Sequence, residues 1–323
     1  MSSAAPLARV AVVATLLLCC APRAGARGGA CARWSPEARR TGSVPAVLAE
    51  LSGIAASRRH PGIYWAHNDS NNAGALFALD ETGRVRARFT LRGLRPRDTE
   101  DIAVGPCAKG GSRSCIYLAD TGDNLRRRRE VWIARAVEPE TLDGGVLDVD
   151  ARSFRYPDGS HDAEGLVVDP RSAALYVITK SLDGLGEVYR LDGLGARAGG
   201  RAVPIVTLPA PGALARFTTA ADAHPDGERL LLRTYTSAWE LVRRGARSLE
   251  EVFRAPPVEV TAPAQRQGEG IAYTSDGRGY VLAGEGAGSA LYRVECASGE
   301  PPSGAASTTP AGSAVGASRS VSG

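Results

Sequence analysis

Apolar and polar positions along the chain fall into a pattern that recurs five times. Each copy has an acidic or hydroxyl residue, a small residue, two apolar residues, a turn, and then an apolar strand. The copies begin Ser52-Gly53-Ile54-Ala55 before GIYWAHND, Glu100-Asp101-Ile102-Ala103 before CIYLADTGDN, and Glu164-Gly165-Leu166-Val167 before ALYVITK. The last two are Thr219-Ala220-Ala221-Asp222 before RLLLRTY and Glu269-Gly270-Ile271-Ala272 before GYVLAGEG. Starts lie roughly fifty to sixty residues apart, the period of a four-stranded propeller blade with generous loops.

Further strand candidates follow each copy: ALFALD and RVRARFTL, EVWIARA and RSFRY, EVYRLD and VPIVTLP, then SAWELV and a strand near LEEVF. The fifth copy offers three strands ending at LYRVEC, and SVPAVLAE near the start supplies the fourth. Turns carry breakers such as Pro170, Pro225-Asp226-Gly227 and Ser275-Asp276-Gly277. Almost no stretch has the 3.6-residue period of a long amphipathic helix, which excludes an α/β architecture. The expected fold is all-β: a β-propeller of five four-stranded blades, its ring closed by an N-terminal strand so that no sheet edge is left open. A six-bladed ring is the alternative, with a degenerate blade in residues 135–160 or 195–215.

The expected boundaries are a signal peptide at 1–26, an N-terminal segment at 27–42, the propeller at 43–296 and a disordered low-complexity tail at 297–323. Arg9, the apolar run Val10 to Cys20 and Ala24-Gly25-Ala26 carry the signal. That run is about half the length of a membrane-spanning helix, so no permanent span is expected. Secretion is the expected localisation. A lipid anchor is the alternative, with neither Leu18 before Cys19 nor Gly28-Gly29-Ala30 before Cys31 giving a good attachment context.

Of the six cysteines, Cys31, Cys107, Cys115 and Cys296 would remain after cleavage. An even number in an exported chain points to disulfides, and four cysteines allow three pairings. Cys107 and Cys115 flank a Gly- and Ser-containing turn suited to a local bridge, which leaves Cys31 with Cys296, joining the two ends of the domain. The formal net charge of +4 is carried almost wholly by arginine, with Lys109 and Lys180 the two lysines. The basic block Arg126 to Arg129 precedes a strand and reads as a solvated loop, so no nucleic-acid partner is expected.

The segments SGIAASRRHPGIYWAHNDS, TEDIAVGPC with CIYLADTGDN, and DAEGLVVDP resemble secreted bacterial propellers of the phytase-like (esterase-like phytase) group, over residues 47–295. DAEGL is most similar to β-propeller phytases, whose acidic rims hold calcium ions and bind phosphate esters. The resemblance implies the fold first, and Ca2+ as a candidate cofactor.

Blade geometry places Ser52, Glu100, Glu164, Thr219 and Glu269 at equivalent starts of innermost strands, around the tunnel. Ends of the second strands add His67, Asn68 and Asp69, then Asp120, Asp123 and Asn124, Lys180, Arg233 with Tyr235, and Glu285. Converging carboxylates repel one another, so protons, internal cations or a metal must offset them. Glu100, Glu164, Glu269, Asp120 and Asp123 are the metal candidates, and an all-oxygen set suits calcium. His67, Asn68, Asp69, Lys180, Arg233 and Tyr235 are the candidates for ligand or phosphate binding. A structural salt-bridge network is the competing reading. His161 lies beside Asp162-Ala163-Glu164 or faces solvent on its loop, while His60 and His224 fall in turns on the opposite rim. There is no G-x-S-x-G elbow, zinc-ligand spacing, Walker loop or dinucleotide fingerprint.

Three functions compete: a secreted, monomeric propeller binding a small-molecule or extended ligand and Ca2+ at its polar face, a Ca2+-dependent phosphoric-ester hydrolase, and a structural or protein-interaction propeller. Hydrolysis demands a denser carboxylate cluster than a ring containing Ser52 and Thr219 offers.

Overall fold

The computed structural model describes residues 31–69, 74–195, 199–213 and 215–297. The expected signal peptide and all but the first residue of the expected tail lie outside the described residues. The fold is all-β. Among the described residues, no helix is long and apolar enough to cross a membrane.

Among the described residues, twenty of the twenty-one strands fall into repeated antiparallel units. The first holds β2 (Leu51–Ala56), β3 (Ile63–Asn68), β4 (Ala75–Asp80) and β5 (Val85–Arg92) in order. The second runs β6 (Asp101–Pro106), β7 (Ser114–Asp120), β8 (Val131–Val137) and β10 (Asp150–Arg155). In the third, β11 (Ala163–Val168), β12 (Leu175–Thr179), β13 (Gly184–Asp192) and β14 (Gly200–Pro209) follow one another. The fourth is β15 (Thr218–Ala223), β16 (Arg229–Thr234), β17 (Ala238–Val242) and β18 (Val258–Val260). The last takes β19 (Gly268–Tyr273), β20 (Gly279–Gly284) and β21 (Ala290–Glu295), and its fourth strand is β1 (Arg39–Ser43), antiparallel to β21.

Two parallel pairings were not foreseen. β9 (Gly145–Asp148) lies along β5, and β10 meets β14, joining the second and third units into one sheet. Of the two segments named for a sixth unit, 135–160 supplies β9 and β10, and 195–215 supplies β14.

Two strand placements differ from expectation. The N-terminal strand ends at Ser43, the first residue of SVPAVLAE, because Pro45 has no N–H to give a ladder and its carbonyl instead accepts from Leu48, closing a 3-10 turn over Ala46–Leu48. LEEVF is not a strand either. Its buried residues Leu249, Val252 and Phe253 have i, i+3, i+4 spacing, and Leu249–Val252 forms a helical turn packed on the third and fourth units. The fourth strand is the short VEV that follows.

Burial sets the layering. The first strand of most units is buried throughout, as in β6, β11 and β19, whereas β5 at an outer position alternates buried and exposed. The first strands pack against one another: β2 on β6 and β19, β11 on β6 and β15, and β15 on β19. Apolar clusters fill the spaces between consecutive units; one contains Leu166, Tyr117 and Tyr189, and another joins Ile54 and Phe77 to Ala272 and Val281.

Both expected disulfides form, Cys107–Cys115 and Cys31–Cys296. Beside Cys31, Trp34 is buried against Tyr280 and donates to Glu240 Oε2 at 3.0 Å, docking the N-terminal segment on the fourth and fifth units.

Candidate metal centre

The five repeat-leading residues share a backbone feature. Ser52, Glu164, Thr219 and Glu269 each sit in a register shift between the first two strands of their unit. Glu100 repeats the arrangement: its N–H and the ladder position of Asp101 both meet Ala119. Two residues thus face one partner, a β-bulge, which re-aims the extra side chain. All five are buried. The hydroxyls stitch neighbours together: Ser52 Oγ donates to the Glu100 carbonyl at 2.9 Å and Thr219 Oγ1 to the Gly268 carbonyl at 2.7 Å.

The carboxylates gather on one side. Oxygens of Asp69, Asp98 and Glu100 lie within 4.8 Å of one another, and so do oxygens of Glu100, Asp162 and Glu164. Glu100 belongs to both groups. Gly122 leaves room for them: a Cβ there would overlap the Glu100 carboxylate and come within 2.6 Å of Asp98 Oδ2.

Burial pushes the Glu100 carboxyl well above the usual range, and Glu164 and Asp69 add to the shift. Burial raises Glu164 to about 7 even though Lys180 opposes it. Glu269 rises to about 8 through burial and the nearby Glu164, and it accepts from Gln267 Nε2 at 2.9 Å. Asp98 is raised by burial as well, against the help of a hydrogen bond shared with Asp69. Lys180 is the ammonium bonded to this group. It donates to Glu164 Oε1 and, at 2.7 Å, to Tyr235 Oη. Burial disfavours its charge, but Glu164 more than offsets that and the Lys180 pKa is raised.

The structure sorts the remaining candidates. Asp120 and Asp123 face protein donors. Asp120 Oδ1 accepts from the Asp98 N–H at 2.8 Å and from Arg128 Nη1 at 3.1 Å. Asp123 takes the N–H groups of Arg127 and Arg128 at 2.9 and 2.6 Å. Asn68 ties the loop before β2, donating to the Val47 carbonyl at 2.9 Å. Arg233 is fully buried on the space left by the missing side chain of Gly268, with Nη2 3.0 Å from Gln265 Oε1, and burial lowers its pKa to about 10. His67 turns inward. Its Nδ1 lies 2.9 Å from the Asn68 carbonyl, which assigns the proton to that nitrogen, and burial lowers its pKa to about 4. Its Nε2 has no hydrogen-bond partner and, with Asp101 Oδ1, faces the space beside Gly53.

Sequence reasoning missed Asp98, Asp162, Gly122 and Arg128. A signal for the first two was present: Asp98-Thr99-Glu100 and Asp162-Ala163-Glu164 are the same D-x-E doublet at equivalent points of consecutive repeats. Arg128, taken with its neighbours as part of a solvated loop, instead folds inward and donates to the Asp120 and Gly122 carbonyls at 3.0 and 2.8 Å. A cleft of about 500 Å3, with Leu94, Trp132 and Ala151 as apolar wall and Arg95, Arg97 and Asp120 as polar wall, opens beside this loop.

Comparison with protein-family models and with curated proteins finds no match to this chain.

Proposed function

We propose that this chain is an exported β-propeller of five blades that binds Ca2+ at the acidic mouth of its central tunnel and, through that cation, a small or extended ligand. The observation that carries the reading is Glu100, one carboxylate common to two three-carboxylate groups. Such sharing lets a pair of divalent ions sit side by side, and it gathers more negative charge than Lys180 offsets. The donor set fits calcium: every candidate ligand is an oxygen, and calcium accepts six to eight oxygens in flexible geometry. Gly122 keeps the space beside Glu100 and Asp98 open.

Support for five blades comes from the five first strands, each packed against two others, with apolar clusters between consecutive units and between the last and the first. Pairing of β1 with β21 and the Cys31–Cys296 bond support closure by the N-terminal strand. Two disulfides and the apolar N-terminal run favour export. The likeness to phytase-like propellers points the same way on calcium. Hydrolysis of phosphoric esters is the weaker reading, because Lys180 is engaged by Glu164 and Tyr235, and Arg233 is buried on Gly268.

The test is thermal melting of the chelator-treated chain with added CaCl2, beside Glu100→Gln. The melting temperature rises with calcium for the native chain and stays flat for the variant. No response from the native chain sinks the calcium reading, and turnover of phosphate esters in a substrate screen would replace binding by hydrolysis.

A further inference from the structure

A second cluster, chemically unlike the first, lies where the loop between β10 and β11 meets β13. Asp158 and His161 come from the loop. Glu187 and Tyr189, two apart on β13, point to the same face of the strand. His161 Nε2 is 3.0 Å from Asp158 Oδ1 and 3.3 Å from Tyr189 Oη. Tyr189 Oη is 2.9 Å from Asp158 Oδ2 and 2.9 Å from Glu187 Oε2. Ligand atoms of Asp158, His161 and Glu187 all fall within 4.8 Å of one another.

With both carboxylates ionised, these separations cannot all be hydrogen bonds. With the imidazole proton directed at Asp158, one phenol hydrogen remains for two carboxylates, each at 2.9 Å. The other contact then sets lone pair against lone pair. A cation relieves that contact and leaves both carboxylates ionised. Tetrahedral Zn2+ with nitrogen and oxygen ligands at about 2.0–2.2 Å has donor–donor edges of about 3.3–3.6 Å, so small outward movements turn the present arrangement into such a shell. Tyr156 packs edge-on against both His161 and Tyr189, with ring centroids 4.8 and 5.0 Å away, and its buried hydroxyl has no hydrogen-bond partner. Asp158 and Glu187 are about half exposed, which leaves an entry path.

We infer that Asp158, His161, Glu187 and Tyr189 form a binding site for a divalent transition metal of the zinc class, separate from the oxygen-only calcium site. An imidazole nitrogen and four-fold geometry select zinc over calcium, which prefers more ligands, all oxygen. A bound ion pins the crossover loop of the second and third units to β13, next to the Asp162 that follows His161.

The experiment is zinc titration by calorimetry on the full, chelator-stripped chain in buffer holding excess calcium. One zinc is taken up per chain, and cobalt(II) in its place gives the visible absorption of a four-coordinate ion. His161→Gln weakens zinc binding by at least roughly tenfold and removes the cobalt spectrum, while its melting response to calcium is unchanged. Glu100→Gln does the reverse. If His161→Gln is misfolded by circular dichroism, the half-exposed Asp158→Asn carries the same comparison. No zinc uptake by the native chain, or uptake equal in the folded variant, overturns the inference.

Discussion

The Asp101 carboxylate on β6 accepts the main-chain N–H of Leu166 on β11 at 2.7 Å. The same oxygen takes the N–H of Ala221 on β15 at 3.1 Å, and the other oxygen takes Ile102 at 2.8 Å. One side chain therefore joins three first strands, at the position where the other repeats carry Gly53, Gly165, Ala220 and Gly270. Burial pushes its carboxyl well above the usual range, and the three N–H donors oppose that shift. Asn keeps an acceptor for Leu166 and Ala221, whereas Ala strands buried N–H groups. Asp101→Ala lowers stability by about 2 kcal/mol or more and Asp101→Asn by less than half of that, measured by urea unfolding. Equal losses would contradict this account of the side chain.

The raised carboxyls set the pH dependence. Glu164 and Glu269 titrate at about 7 and about 8 in the folded chain, against about 4.3 for an unfolded glutamate. Between these limits the folded state binds more protons than the unfolded one, so stability falls as pH rises. Their contribution is full below about pH 4 and is lost as pH climbs through about 7 and about 8. The chelated protein melts several degrees higher at the acid end of this window than at its alkaline end. Glu269→Gln flattens the upper part. Calcium, which favours the ionised carboxylates, opposes the whole trend. Melting curves across the window with and without chelator check this, and a slope of opposite sign in the chelated protein would count against it.

The repeat pattern exposed the sheet units and the bulged residues because both depend on local residue order. Apolar strand runs, breaker turns and the doublets led by Asp98 and Asp162 are visible in one dimension. The fates of Asp120 and Asp123 are not. Whether a carboxylate meets a cation or its own loop depends on where the N–H groups of Arg127 and Arg128 point, and on whether Arg128 folds inward. Nothing in the string of four arginines separates Arg128 from the rest. The three-residue β18 and the parallel β9 were hidden for another reason: short outer strands are held by neighbours and need little apolar pattern of their own.

Cys31–Cys296 spans 265 residues, while Cys107–Cys115 spans 8. In the chain-entropy view, the longer loop constrains the unfolded ensemble more. Replacing Cys31 and Cys296 together by Ser lowers stability by roughly 2–5 kcal/mol, and replacing the other pair costs less. Denaturant unfolding of both double variants, after disulfide-linked peptide mapping of the parent, decides the order.

Glu164 and Gly122 separate a cation site from a closed ion-pair network. Lys180 already bonds Glu164, so Glu164→Gln leaves a half-buried ammonium short of its partner and destabilises the chain in plain buffer, by about 1–3 kcal/mol. That loss follows on either reading and decides nothing alone. The calcium response does decide. With a shared site, calcium at about a hundred times its dissociation constant stabilises the native chain by near 2.7 kcal/mol, and Glu164→Gln loses most of that gain. Gly122→Ala touches no ion pair, yet its new Cβ falls on the Glu100 carboxylate and crowds Asp98. It therefore blunts the calcium response while leaving the Lys180–Glu164 pair in place. Calorimetric titration of calcium into the native chain and both variants supplies the answer. Binding retained at native strength in Gly122→Ala would place the cation away from Glu100 and Asp98, and the acidic group would then be a network neutralised by protons and Lys180.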